Sequence, residues 1–174
     1  MARLAIICGL LMCLAGSGAA EGADNQSISA RDALGKLGVG EIVFAVRQVD
    51  RDGHWYANFS YWSDRPERKL YHDGGRLCRM NVKSGKVTCL IDDSHGGVRD
   101  PQVHYDGKKI LFSYRKGGTH FYNLYEIGID GAGLRQITIG PWDDIEPAYL
   151  PDGGIVFASA RCKRYIGCWL AQTA

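Results

Sequence analysis

The apolar residues of this chain come in short runs bounded by turn residues, too brief for helices. Ile110-Leu111-Phe112 and Ile155-Val156-Phe157 are apolar at every position, as strands covered on both faces are. Each run follows an Asp-Gly pair, Asp106-Gly107 or Asp152-Gly153. Gly takes positive φ freely and Asp bonds the turn backbone, so each pair predicts a tight hairpin. Ahead of each turn stands an acid–proline pair and a short strand, Asp100-Pro101-Gln102-Val103-His104 and Glu146-Pro147-Ala148-Tyr149-Leu150. Pro101 to Pro147 and Asp106 to Asp152 are both 46 positions apart, which makes the pattern a repeat.

A second pair of segments keeps nearly the same period. Leu77 to Leu124, Met80 to Ile127 and Leu90 to Ile137 are each 47 apart, and both segments read strand, Gly-containing turn, strand. Joined to the first motif they make four strands in about 45 residues, the size of one propeller blade. The predicted fold is therefore all-β, a partial β-propeller of about two and a half four-stranded blades. Blade 1 is expected at about 41–92, blade 2 at about 100–138, and the start of blade 3 at about 146–174. Glu41-Ile42-Val43-Phe44 supplies the earlier copy of the buried strand. Rings close with typically four to eight blades, so the chain is expected to be the N-terminal part of a larger protein.

The motifs carry a resemblance. Tyr105-Asp106-Gly107-Lys108-Lys109-Ile110-Leu111-Phe112-Ser113, with Asn123-Leu124-Tyr125-Glu126-Ile127 and Leu134-Arg135-Gln136-Ile137-Thr138, resembles the TolB-type β-propeller repeat. Gly97-Val98-Arg99-Asp100-Pro101-Gln102-Val103-His104-Tyr105 and Ile145 to Phe157 are similar to large exported proteins related to the propeller domain of hydrazine synthase alpha subunits. The match runs from about Gly40 onward. It implies the fold and leaves function open, because propellers host many activities.

Ahead of the repeats, residues 1–20 have the form of a signal peptide. Arg3 supplies a positive charge, Leu4 to Leu14 a short apolar region, and Gly16-Ser17-Gly18-Ala19-Ala20 the small residues before a cleavage site. The apolar stretch is too short to span a bilayer, so an exported chain without stable membrane insertion is expected, periplasmic or extracellular. Residues 21–40 read as a leader, with one or two helical turns around Ser29 to Leu37. Blade 1 carries an insertion between Phe44 and Leu77, in which Trp55, Phe59 and Tyr61 share one strand face. These aromatics form a packing lid or a binding surface, and packing is preferred. With 45% hydrophobic residues the chain can build a core, and a net charge of +2 does not argue for nucleic acid.

Candidate chemistry is sparse. Asp100 and Glu146 precede Pro at equivalent positions near the start of each innermost strand. They can line the central channel as a cation or ligand site, or bond backbone amides, and the second is preferred. Cys8 and Cys13 leave with the signal. Cys78 and Cys89 fall diagonally across one hairpin, and Cys162 and Cys168 enclose a short loop. They read as structural thiols or disulfides, with Cys162–Cys168 the favoured bridge. The five His are scattered, and Cys-x-x-Cys-His, a Gly-x-Ser-x-Gly elbow and phosphate-binding loops are absent from the sequence. The reading is a non-catalytic binding module with no cofactor in this chain, its partner a protein or the rest of a larger propeller. The alternative is the scaffold part of a haem-dependent redox enzyme.

Overall fold

The Asp-Gly turns form as their chemistry requires. Oδ1 of Asp106 accepts the Lys108 amide at 2.9 Å, and Oδ1 of Asp152 accepts the Gly154 amide at 2.9 Å. Gly107 and Gly153 take φ of 72° and 89°. The computed structural model describes the backbone of residues 3–6, 29–48, 61–62, 65–165 and 172–173, and the side chains of residues 29–48 and 69–163.

The order is β1 (Arg3–Ile6), α1 (Ala30–Lys36), β2 (Val39–Arg47), β3 (Tyr61–Trp62) and β4 (Arg65–Lys69). Then come β5 (Gly75–Asn81), β6 (Val87–Asp93), β7 (Gly97–Val103), β8 (Lys109–Arg115) and β9 (Asn123–Gly128). The chain continues through β10 (Arg135–Gln136), β11 (Asp144–Tyr149), β12 (Ile155–Ser159), the 3-10 turn Ala160–Cys162, β13 (Arg164–Tyr165) and β14 (Gln172–Thr173). Strands β7 to β10 form one antiparallel meander in sequence order, which is a complete blade. The first sheet has the order β1-β2-β5-β6, and β11 pairs with β12 as a third.

Several boundaries differ from the sequence reading. α1 occupies part of the expected leader, with Ser29 as its N-cap accepting from the Asp32 amide. Arg31 docks the helix by donating to the carbonyls of Val82 and Lys83 at 3.0 and 2.6 Å. Blade 2 starts at Gly97 rather than Asp100, because Gly97 and Val98 already pair with Arg115 and Tyr114. Blade 3 likewise starts at Asp144, which pairs with Ser159. In blade 1 the place next to β2 is taken by β1, parallel to it, whereas β7 runs antiparallel to β8. β1 lies within the segment read as a signal peptide.

Register defines which residues are equivalent. Leu111 pairs with Gln102 and Val156 with Ala148, so Leu111 and Val156 correspond, and Val43 is their counterpart opposite Arg79. The middle residue of each apolar triplet faces the next blade. Val43 and Leu77 pack on Ile110, Phe112, Tyr125 and Ile127 of blade 2. Leu111 and Leu124 pack in turn on Tyr149, with Ile155 and Phe157 against them. Val43 is 1% exposed and Leu111 0%, but Val156 is 53% exposed. Ile110 and Phe112 face the preceding blade and are fully buried, whereas Ile42 and Phe44 are partly exposed. Two like interfaces are thus complete, and among the described residues Val156 has no comparable cover.

A polar knot spans the interface between blades 2 and 3. Glu126 accepts from Arg135 at 2.9 Å and Tyr149 Oη at 2.8 Å, and pairs with Lys109 Nζ at 2.9 Å. Burial acts to raise its carboxyl, but these three donors outweigh burial and hold it down at about 2.

Two measurements follow. Leu111→Ala should cost about 2–5 kcal/mol in chemical denaturation, the range for a buried Leu, and Val156→Ala well under about 1 kcal/mol. Equal losses would mean that the two positions are equally covered. For Glu126 the folded carboxyl is depressed below its ordinary 4.5, so its contribution is full above that value and disappears as pH falls toward about 2. Across that window the wild type should lose roughly 2–3 kcal/mol from this group, and Glu126→Gln should flatten that part of the acid profile.

Candidate functional site

Two places where blades meet each hold a buried arginine, Arg99 or Arg115. The first is the acid–proline pair. On β7 the register skips between Arg99 and Gln102, so Asp100 and Pro101 together oppose Phe112. On β11 Glu146 and Pro147 oppose Phe157 in the same way. Each is a bulge with two residues facing one. β7 and β11 are edge strands of their sheets, so the missing Pro amide leaves no ladder bond unmade. Asp100 and Glu146 take φ of 53° and 52°, a left-handed conformation uncommon outside Gly.

What holds this strain is a link from blade to blade. The Glu146 amide donates to Asp100 Oδ2 at 3.1 Å. The same oxygen accepts from Arg99 Nε at 2.6 Å, and Arg99 Nη2 lies 3.6 Å from Glu146 Oε1. Arg99 is buried. Burial alone would weaken its hold on its proton, and the Asp100 carboxylate beside it more than offsets that. The amide that Asp100 bonds belongs to the innermost strand of the next blade rather than to a loop ahead of its own strand. The Glu146 side chain is 65% exposed.

The second place is the end of the molecule where β6 turns into β7 and β8 runs into its loop. Gly96 and Gly97 bring the chain so close that a Cβ on Gly96 would strike the Asp93 carboxylate, and one on Gly97 the Tyr122 hydroxyl. Asp93 accepts from Tyr114 Oη at 2.6 Å, the Gly117 amide at 2.8 Å and the His95 amide at 3.0 Å. Burial pushes this carboxyl up, and the donors more than reverse it, so it stays below the usual carboxylate value. Tyr114 is shifted upward by burial and by its bond to Asp93.

Beside Asp93, Arg115 is buried with its guanidinium 3.5 Å from the centre of the Tyr71 ring. It donates to the His95 carbonyl at 3.0 Å and to Asp73 Oδ1 at 3.2 Å, while Nε has no acceptor among the described residues. Lys69, Lys116, Gly117, Gly118 and His120 complete an open cleft of about 650 Å³ between blades 1 and 2. None of these was singled out from sequence. Two signals were available: a charged residue closing the strand that carries the apolar triplet, and the adjacent glycines Gly96-Gly97 and Gly117-Gly118.

The other expected site residues are placed as follows. Trp55 and Phe59 lie outside the described residues, and Tyr61 contributes its backbone to β3, paired with Lys69 of β4. Cys78 stands directly opposite Cys89 rather than diagonal to it, because the turn that pairs Met80 with Val87 and Arg79 with Thr88 carries the same register through to them, and the bulge comes only beyond, at Leu77. Their sulfurs are 3.7 Å apart, and burial and the Cys89 thiol push the Cys78 thiol up to about 11. Cys162 is exposed, with Sγ 3.7 Å from the Ser159 carbonyl oxygen, and Cys168 lies outside the described residues. Among the described residues no group of three His, Cys, Asp or Glu side chains is placed to hold a metal ion.

Fold and sites together define an antiparallel β protein of propeller-type blades with charged links between them. No protein-family model matches the chain. It is 29% identical over 125 residues to hydrazine synthase subunit alpha of Kuenenia stuttgartiensis, covering 71% of this chain and 14% of that protein. Among solved structures it is similar to a putative TolB from Agrobacterium tumefaciens, with 27% identity, 49% of this chain and 30% of that one covered, and a TM-score of 0.43. Hydrazine synthase from Kuenenia stuttgartiensis is also similar, with 20% identity, 69% and 18% covered, and a TM-score of 0.47. The similarity to the alpha subunit agrees with the resemblance carried by the acid–proline and Asp-Gly motifs. The chain spans about a seventh of that relative's length.

The interblade link is testable apart from its strain. Asp100→Gly accepts the backbone conformation freely but removes the shortest contact of Arg99, and should destabilise by about 3 kcal/mol in denaturant unfolding. Asp100→Asn keeps an acceptor and tolerates the left-handed conformation, and should lose less. A Gly variant as stable as wild type would show that the link contributes nothing.

Proposed function

We propose that this chain is an exported, non-catalytic propeller module whose work is binding, and that its partner is a set of further propeller blades. The observation that carries this reading is the contrast between Leu111, sealed under blade 3, and its equivalent Val156, which is 53% exposed. Val43, Leu111 and Val156 occupy one structural position, and among the described residues the third lacks the neighbour the other two have. Glu146 supports it, since it is the counterpart of Asp100 and its side chain is 65% exposed. At the other end, Ile42 and Phe44 offer the complementary face. Export rests on the form of residues 1–20, and no helix among the described residues is long and apolar enough to cross a membrane.

A second reading is favoured by the match to a 14% stretch of hydrazine synthase subunit alpha. In it the same blades are the scaffold of a larger haem-dependent redox enzyme, and the faces dock the rest of that protein. Both readings give the chain a structural partner and leave the chemistry elsewhere.

Light scattering after size-exclusion chromatography of residues 21–174 at micromolar concentration tests the shared core. The expected result is self-association or poor solubility, relieved by Val156→Asp and by co-expression with the adjoining reading frame. A monodisperse monomer with a sharp unfolding transition would overturn the proposal. Haem absorbance that co-purifies with the chain in the co-expression would favour the second reading over the first.

A further inference from the structure

The cleft between blades 1 and 2 is separate from the uncovered blade faces, and its charges do not balance. Its lining holds three cationic side chains, Lys69, Arg115 and Lys116, against two carboxylates, Asp73 and Asp93, so the count is 3 − 2 = +1 with the histidines neutral. The carboxylates are not equivalent. Asp93 is committed to three donors of its own surroundings, the Tyr114 hydroxyl and the Gly117 and His95 amides. Asp73 touches Arg115 at 3.2 Å, and half of it is exposed. Lys69 and Lys116 pair with no carboxylate among the described residues, and Lys69 Nζ lies 5.6 Å from the centre of the Tyr71 ring.

Arg115 is the fixed element. Its guanidinium is stacked on Tyr71, and Nε is buried without an acceptor among the described residues, an arrangement that costs stability unless it serves something. Gly117 and Gly118 make part of the lining. A Cβ on Gly117 would come within 2.7 Å of Asp93 Oδ1, so that position excludes a side chain. Gly118, at φ 83°, has open space where its side chain would be. The result is a recess with a stacked guanidinium at its base, two lysines at its rim and no bulk on one side.

We propose that this cleft binds a small oxyanion, the carboxylate or phosphate group of a solute. Lys69 and Lys116 contact it and Arg115 supplies the fixed positive base. Asp73, held by a single long contact, competes with the ligand for Arg115. Ammonium and guanidinium donors to an ionised oxygen make the stronger class of hydrogen bonds. The inference does not depend on what covers the blade faces, so either can fail while the other stands.

The test is calorimetric titration of the whole chain with inorganic phosphate and, separately, with citrate, at about 0.15 M ionic strength so that long-range attraction is screened. Saturable binding of at least one anion is expected, and the arm that binds more tightly identifies phosphate or carboxylate as the preferred group. Lys69→Ala with Lys116→Ala should weaken it about tenfold or more, the effect of roughly 1.4 kcal/mol. Both lysines are exposed and unpaired, so the double variant should keep its thermal midpoint. Asp73→Asn should tighten binding, because it removes the competitor. A matched control, Lys83→Ala with Lys86→Ala on the β5–β6 turn, should leave the affinity unchanged. Failure of both anions to saturate, or an equal loss in the control pair, would overturn the proposal.

Discussion

Each blade of this protein depends on its neighbour to cover the middle residue of its most apolar strand. Ile110, Leu111 and Phe112 alternate in direction along β8, so a sheet with all three apolar needs a layer on both sides. Blade 1 provides one layer through Val43 and Leu77, and blade 3 the other through Tyr149, Ile155 and Phe157. A single four-stranded sheet of this composition would leave two apolar faces in water. Stability is therefore shared between neighbours, as in other repeat architectures, and the folded unit is the interface as much as the blade.

Apolar packing has little direction of its own, and the charged links supply it. Arg99, Asp100 and Glu146 join successive innermost strands, while Glu126 gathers donors from β8, β10 and β11. The Arg99–Asp100 contact is short and nearly shielded from water, so a rotation of one blade against the next would break a bond that solvent could not quickly replace. The left-handed conformations at Asp100 and Glu146 are consistent with this. A conformation that costs roughly 1–2 kcal/mol persists where surrounding contacts over-determine it, and here the Arg99 guanidinium and the amide of the next blade do so. The cleft beside Arg115 belongs to the same economy of buried cations between blades, with the difference that one of its donors has no acceptor.

The chain's own order of residues determined the repeat, the hairpins and the two-sided burial of the central strands. These are local matters. Asp106 and Asp152 bond amides two residues on, and three successive apolar residues describe both faces of a strand whatever lies beyond them. Even the one-residue difference between copies was legible, since the Asp-Gly pairs are 46 apart and the Phe residues 45. Tertiary structure decided the rest. Asp100 meets the amide of Glu146, one blade further on, because two bulges bring the innermost strands together there. Arg115 finds Tyr71 across an insertion that has no counterpart in the repeat. In each case the partners lie far apart in sequence, and only the rotation between blades sets the distance that separates them.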